Sequence, residues 1–309
     1  MKSNLQKTVI ITAVVAVVAL GIAALLYFSG ERDFGWRASG EVVVDERKTF
    51  TYAEIDIVDV QTSSTDITME PSSNGDIEVR LHGTVNTNRV DAVPALAVQQ
   101  NGEILSVKTQ RRNGRKFAFW FYSGNLTLSI KVPKGYRNRI TARASSGDIQ
   151  LYDLELSELS LNTSSGDMRL RSVLASTVSL DSSSGDQEAL DLQSEFADLS
   201  SSSGEISVSG MTGGVKAKTS SGSVSLDFKE FSNDLEIRTS SGDVELYLTE
   251  AAQFSLEARS SSGDVSCEFA ITLPGAGKRK GRNDLLGTVG EGTHRVYVRT
   301  SSGDIGIRP

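Results

Sequence analysis

The chain is poor in the residues that usually carry chemistry. One cysteine, Cys267, among 309 residues excludes an intrachain disulfide framework. The two histidines, His82 and His294, stand far apart with no motif around either. No HExxH and no nucleotide-binding glycine motif occurs. Serine and aspartate are so abundant that any Ser/His/Asp set drawn from them carries little specificity. With only 5 prolines against 28 glycines, the composition has punctuation but not the signature of disorder. Positive charge is scarce too: the formal net charge is −7, whereas a phosphate backbone rewards a positive surface. These absences point away from an enzyme, from a cofactor or metal protein and from a nucleic-acid partner.

What the chain has in quantity begins at the N-terminus. TVIITAVVAVVALGIAALLYF, residues 8 to 28, contains no charge. At 1.5 Å per residue a helix of that length measures about 30 Å, enough to cross a bilayer. Lys2 and Lys7 precede the run and Glu31, Arg32 and Asp33 follow it, so the N-terminus is expected in the cytoplasm and the rest outside. Tyr27, Phe28, Phe34 and Trp36 suit an interfacial aromatic belt. A cleaved signal peptide is the alternative, although its best small-residue site, Ala23-Ala24, lies inside the apolar run. With no cysteine near the end of the run, a lipoprotein is excluded. The expectation is a signal-anchor in the cell membrane, single-pass, with an extracytoplasmic C-terminal domain.

Beyond the anchor, one four-letter corner recurs. The glycine of SSGD or its variants falls at Gly147, Gly166, Gly185, Gly204, Gly222, Gly242 and Gly263, at spacings of 19, 19, 19, 18, 20 and 21, with a further copy at Gly303. SSTDI, 63 to 67, and SSNGDI, ending at Ile77, are weaker relatives. A fixed period near 20 marks a repeat architecture. Within one period the apolar residues are Ile149, Leu151, Leu154, Leu156, Leu159 and Leu161, and 19 residues on they are Met168, Leu170, Val173, Ala175, Val178 and Leu180. Alternation signals strands, and the three-residue steps signal bends. No stretch of the repeat region carries a helical stripe.

A single coil cannot bury its apolar side, whereas coils stacked at about 4.8 Å bury it continuously. The predicted fold is therefore all-β: a parallel β-solenoid (β-helix) of 19–21 residues per coil, preceded by one N-terminal transmembrane helix. A sandwich of hairpins would need two turn signals per period, and only one is strong. SSGD reads as the corner, its glycine admitting a positive φ and its serine hydroxyls bonding across coils or to the turn. Residues 1–28 are the cytoplasmic tip and anchor and 29–40 a spacer. Residues 41–140 form irregular first coils and an end cap, with a hairpin over 96–109 turning at Asn101-Gly102. Residues 141–309 are the regular array, interrupted by a protruding loop over 274–292. The last coil ends without a cap, leaving an edge through which copies could self-associate.

SSGDI with its alternating sequel, the preceding IKVPKGY (130–136) and FTYAEIDIVDVQTSSTDITME (50–70) resemble the bacterial β-strand-repeat "putative adhesin" family. The resemblance spans roughly residues 40–309. It implies an envelope-associated, surface-exposed protein and supplies no catalytic residues.

The corner acids Asp148, Asp167, Asp186, Glu205, Asp243, Asp264 and Asp304 form the most regular polar column. Stacked carboxylates repel by about 1 kcal/mol per neighbour in water, so they must either share a cation or face solvent and accept hydrogen bonds. Because Ile149 points inward, Asp148 should point out, and Ser223 breaks the column where a Ca²⁺ ladder would want a ligand. A structural turn ladder is the expectation. Arg111, Arg112, Arg115 and Lys116, followed by aromatic residues, and Lys278, Arg279, Lys280 and Arg282 are candidate contacts for an anionic envelope polymer or lipid. Their bland alternative is a set of solubilising loops. Cys267 falls in an inward column. The outward residues next to Ile149 run Gln150, Arg169, Glu188, Ser207, Ser225, Glu245, Ser266 and Gly306, too varied to match a regular lattice such as ice. The functional expectation is an adhesin-like binding or scaffold module anchored at the cell envelope. A self-associating structural protein is the alternative, and a polysaccharide-cleaving β-helix a more distant one.

Overall fold

The computed structural model describes residues 40–87, 93–111, 123–273 and 283–309. The apolar run and the spacer lie outside these. Among the described residues, no helix is long and apolar enough to cross a membrane. Glu41–Pro309 forms one compact unit.

The strands of the first part are β1 (Gly40–Thr51), β2 (Ile57–Gln61), β3 (Asp66–Ser72), β4 (Asp76–Thr87), β5 (Pro94–Asn101), β6 (Ile104–Arg111) and β7 (Ser123–Pro133). The middle holds β8 (Arg139–Ala144), β9 (Ile149–Tyr152), β10 (Glu155–Thr163), β11 (Met168–Ser182), β12 (Gln187–Ser201) and β13 (Ile206–Lys218). There follow β14 (Val224–Glu230), β15 (Leu235–Arg238), β16 (Val244–Tyr247), β17 (Phe254–Ser260), β18 (Val265–Cys267), β19 (Asp284–Val289), β20 (His294–Thr300) and β21 (Ile305–Arg308).

In the middle, the pairing is parallel and follows the period. Ile149 lies beside Met168, Met168 beside Gln187, and Gln187 beside Ile206. The inward columns predicted from alternation are buried: Ile149, Leu151, Leu154, Leu156, Leu159 and Leu161 in one coil, and Met168, Leu170, Val173, Ala175, Val178 and Leu180 in the next. In β11, two consecutive exposed residues, Arg171-Ser172 and Ser176-Thr177, shift the phase twice. Each coil thus has three short sides, the SSGD corner being one vertex. At the first phase shift the chain enters the left-handed region at Asp153, Ser172, Asp191 and Gly210, with φ between 52° and 72°. Asp and Gly tolerate that region, whereas Ser172 adopts it at a steric cost.

The SSGD glycines do not use a positive φ, contrary to expectation. A Cβ on Gly166 would stand 2.0 Å from the carbonyl oxygen of Gly147, and one on Gly185 only 1.8 Å from that of Gly166. The corner requires glycine because neighbouring backbones touch there. The same contacts give the order of the coils, since Gly147 abuts Thr65, Gly303 abuts Gly242 and Gly263 abuts Gly303.

That order departs from chain order at both ends. β2 lies between β6 and β8, and β3 between β7 and β9, so the first coil of the chain is second in the stack. At the other end β20 lies between β15 and β17, and β21 between β16 and β18. The last coil of the chain is therefore internal, which corrects the expectation of an uncapped terminal coil. β17–β18 sits outside it and is followed on one side by β19, antiparallel to β17. Residues 284–289 are strand and not loop, while 274–282 lie outside the described residues. At the opposite end β4 covers β7 and β5 covers β6, both antiparallel. The β5–β6 pairing closes on Asn101 opposite Ile104, so its two-residue loop is Gly102-Glu103, one position later than predicted.

Candidate functional surface

The corner is built from five residues rather than four. One position before SSG stands a buried hydroxyl: Thr163, Ser182, Thr219, Thr239, Ser260 and Thr300, with the less deeply buried Ser201 in the same file. Except at Ser182, whose Oγ is unpartnered, its oxygen accepts a hydrogen bond from the glycine N–H three residues on, as in Thr163–Gly166 at 3.0 Å, Thr239–Gly242 at 3.1 Å and Ser260–Gly263 at 2.8 Å. Several of these hydroxyls also donate to the glycine carbonyl of the adjacent coil, Thr300 to Gly242 at 3.1 Å and Ser260 to Gly303 at 2.8 Å. The bonding hydroxyl is thus the residue preceding SSGD, whose own two serines are exposed and extend the ladder through backbone bonds such as Ser184 N–H to Ser164 O at 3.0 Å. The signal was readable, since that position is Thr or Ser in every SSG copy except the one with Ala144.

The acids have a matching task. Asp148 Oδ1 accepts the backbone N–H of Asp167 at 2.9 Å, Asp167 that of Asp186 at 3.0 Å, and Asp186 that of Glu205 at 2.8 Å. At the far end Asp243 caps Asp304 and Asp304 caps Asp264, both at 2.8 Å. Each carboxylate satisfies an amide left over where the strand ladder turns. Arg169 sits against two of these acids, 3.3 Å from Asp148 and 2.8 Å from Asp167, which offsets their repulsion, and lies 3.7 Å from Glu188 on the neighbouring strand. Its guanidinium is held above its ordinary pKa by Asp167 and Asp148, against the opposing effect of its burial. Among the described residues, no three His, Cys, Asp or Glu side chains converge to hold a metal.

The remaining sequence candidates are dispersed. Arg111 ends β6, and Arg112, Arg115, Lys116, Lys278, Arg279, Lys280 and Arg282 lie outside the described residues. His82 is in β4 at one end of the stack, and His294 packs edge-on to Phe231 near the other, 5.7 Å between ring centres. Cys267 is half-buried against the core, and burial pushes its thiol pKa up. In the outward file beside Ile149 the order is Glu245, Gly306, Ser266, because the last coil is inserted.

One depression, of about 400 Å³, is lined by Pro71, Pro133, Lys134, Tyr136, Arg137, Asp153, Leu154 and Glu155. Three of its polar side chains are already engaged. Arg137 pairs with Glu155 at 2.7 Å, and the Tyr136 hydroxyl lies 2.8 Å from the Arg139 carbonyl and 3.2 Å from that of Asp56. Burial holds the Tyr136 phenol well above its ordinary pKa. This tyrosine, the last residue of IKVPKGY, locks the turn after β7 to the coil of β2.

Such an assembly is a repeat-built β-solenoid whose surface consists of parallel files of side chains. The chain belongs to the Toastrack DUF4097 family, whose match covers residues 55–308. A comparison with curated proteins finds no match. Solved structures similar to it include a "putative adhesin" from Bacteroides fragilis NCTC 9343, 13% identical, covering 85% of this chain and 97% of that one, TM-score 0.48. A "putative lipid binding protein" from Parabacteroides distasonis ATCC 8503 is 14% identical over 85% of this chain and 96% of that one, TM-score 0.43. A "putative cell adhesion protein" from Clostridium sporogenes ATCC 15579 is 9% identical over 86% and 99%, TM-score 0.31.

Proposed function

We propose that this chain is a non-catalytic, adhesin-like binding module, held at the outer face of the cytoplasmic membrane by residues 8–28. The observation that carries the reading is the surface itself. Files of like-placed side chains run along the stack, the corner carboxylates and several corner hydroxyls are bonded to backbone, and Arg137, Glu155 and the Tyr136 hydroxyl in the depression are already paired. Such a surface offers extended contact rather than an enclosed reaction site. The uncharged apolar run and the charges flanking it support the membrane anchor and its orientation. The basic segments 111–116 and 278–282 are proposed as additional contacts to anionic envelope material.

The test is protease access. In intact cells with the outer layers opened, added protease should degrade the domain and leave a short membrane-embedded fragment. A domain that is cut only after the cytoplasmic membrane is breached would refute the placement.

A further inference from the structure

One file on the side preceding the SSGD corner differs from the rest. Lys218 lies beside Arg238, Arg238 beside Arg299, and Arg299 beside Arg259, so four consecutive coils place a cation in register. All four are exposed. In the chain they are separated by up to 81 residues and occur in the order 218, 238, 259, 299, so only the inserted last coil makes the file continuous. The file is bounded: Ser200 precedes Lys218, and Asp284 lies opposite Arg259.

Like charges directly opposite on neighbouring strands are unfavourable, and here the juxtaposition is made three times in succession. Local acids relieve only part of it. Arg238 donates to Glu236 at 2.6 Å and Arg259 pairs with Glu257 at 3.2 Å, each with the glutamate two residues earlier on its own strand. The coil between them carries Tyr297 at that position. Arg238 and Arg295 stack over the Tyr297 ring from the neighbouring positions, 4.9 and 5.1 Å from its centre, and Arg295 also reaches Glu257 at 3.6 Å. Arg299 is left without an acid, flanked by two arginines whose acids are taken. Lys218 is likewise without one, because Asp198 pairs with Lys216 at 3.2 Å. Among the described residues neither Arg299 nor Lys218 makes an ion pair.

We infer that this file is a binding site for a linear polymer with repeated anionic groups, carboxylate or phosphodiester, laid along the stack axis. Coils spaced at about 4.8 Å put the outermost cations about 14 Å apart. That length spans a few repeats of an extended polymer, whereas a small anion on this open face could meet two of the cations at most. Guanidinium groups bind both anions bidentately, and a chain touching several weak sites gains by effective concentration. On the far side of the corner the file Asp243, Asp304 and Asp264 is negative, so the positive strip is narrow and disfavours a duplex or a lipid surface. The inference rests on the binding-module reading and adds to it a site and a ligand class.

The experiment uses the purified full chain held in phosphatidylcholine nanodiscs at low salt, which occupy the apolar run, with polygalacturonate, polyphosphate, neutral dextran and phosphatidylglycerol vesicles as probes. Binding to one or both polyanions and not to dextran is expected, weakening with salt by roughly 0.7 log units per ionic contact per decade. The double variant K218S/R299S should bind at least about tenfold more weakly, with a shallower salt slope, while K134S leaves binding unchanged. Both substituted side chains are exposed, and an unaltered thermal transition confirms that the fold is intact. Binding by the double variant equal to that of the parent overturns the site. Binding to vesicles in preference to polymers overturns the ligand class. No binding to any polyanion overturns the inference outright, whereas the protease-access result, read separately, decides the module's placement.

Discussion

The middle of the stack and its two ends are made of the same strands but specified differently. From β9 to β13 each coil pairs with the next one in the chain, 19 residues on (18 in the second half of the β12–β13 pairing), and the corner contacts repeat with it. At the ends the pairing skips. Asp304 bonds Asp243 across 61 residues, and Asp148 bonds Asp66 across 82. A repeat closes its middle by local rule, but each end is an unpaired edge that would recruit further strands. This chain solves that by sending a segment past its place, capping with antiparallel β4, β5 and β19, and returning to fill the gap. Among the described residues the free edge beside β21 is the three-residue β18, short enough to be a poor template for a partner.

The largest test of this contrast is removal of residues 294–309. The truncated chain should lose cooperative unfolding of the β15–β18 region and associate with concentration, since β16 and β18 would both lose their shared neighbour. Sedimentation of parent and truncated chains at matched concentrations measures it; a truncated chain that stays monomeric would show the insertion to be dispensable. Next in size is Gly185→Ala in the middle, where the added Cβ would meet a carbonyl oxygen at 1.8 Å. A loss of about 3 kcal/mol or more in denaturant unfolding is expected, against under about 0.5 for Gly75→Ala, which has open space around it.

Smaller effects follow from single hydrogen bonds. Thr239→Val removes the acceptor of the Gly242 N–H and should cost about 1–2 kcal/mol. Tyr136→Phe loses the bond to Arg139, about 1 kcal/mol, and changes the alkaline limb as well. The folded phenol titrates above the unfolded one, so its stabilising effect is complete below about pH 10 and is lost as pH rises beyond it. The parent should therefore lose stability more steeply than Tyr136→Phe between pH 10 and 11. Parallel slopes would remove the phenol from the account. The smallest change is a gain. Gln187 is buried in the column of Ile149 and Met168 with its Oε1 unpartnered, so Gln187→Met should stabilise by about 1 kcal/mol. A lower denaturation midpoint would mean that the amide bond to Ser200, at 2.5 Å, outweighs the orphan oxygen.

Legibility differed along the same line. The inward columns and the corner position could be read because each is a local pattern repeated at a fixed step. The glycine was placed rightly but explained wrongly, since a positive φ and a close approach leave the same letter. Asp153, Ser172, Asp191 and Gly210 share the 19-residue step and a left-handed backbone, yet their varied identities hid the second bend. The basic segments 111–116 and 278–282 stand out as clusters in sequence, while Lys218, Arg238, Arg259 and Arg299 look like ordinary scattered charges until stacked.

By itself the sequence determined the coil: its length, its inward side and its tight corner, because period and alternation are properties of neighbouring residues. Which coil touches which at the two ends, and so which charges share a file, was decided only by tertiary structure. Parallel strand pairing depends on matching apolar faces, and every coil here offers much the same face, so the choice among them falls to the connections and caps.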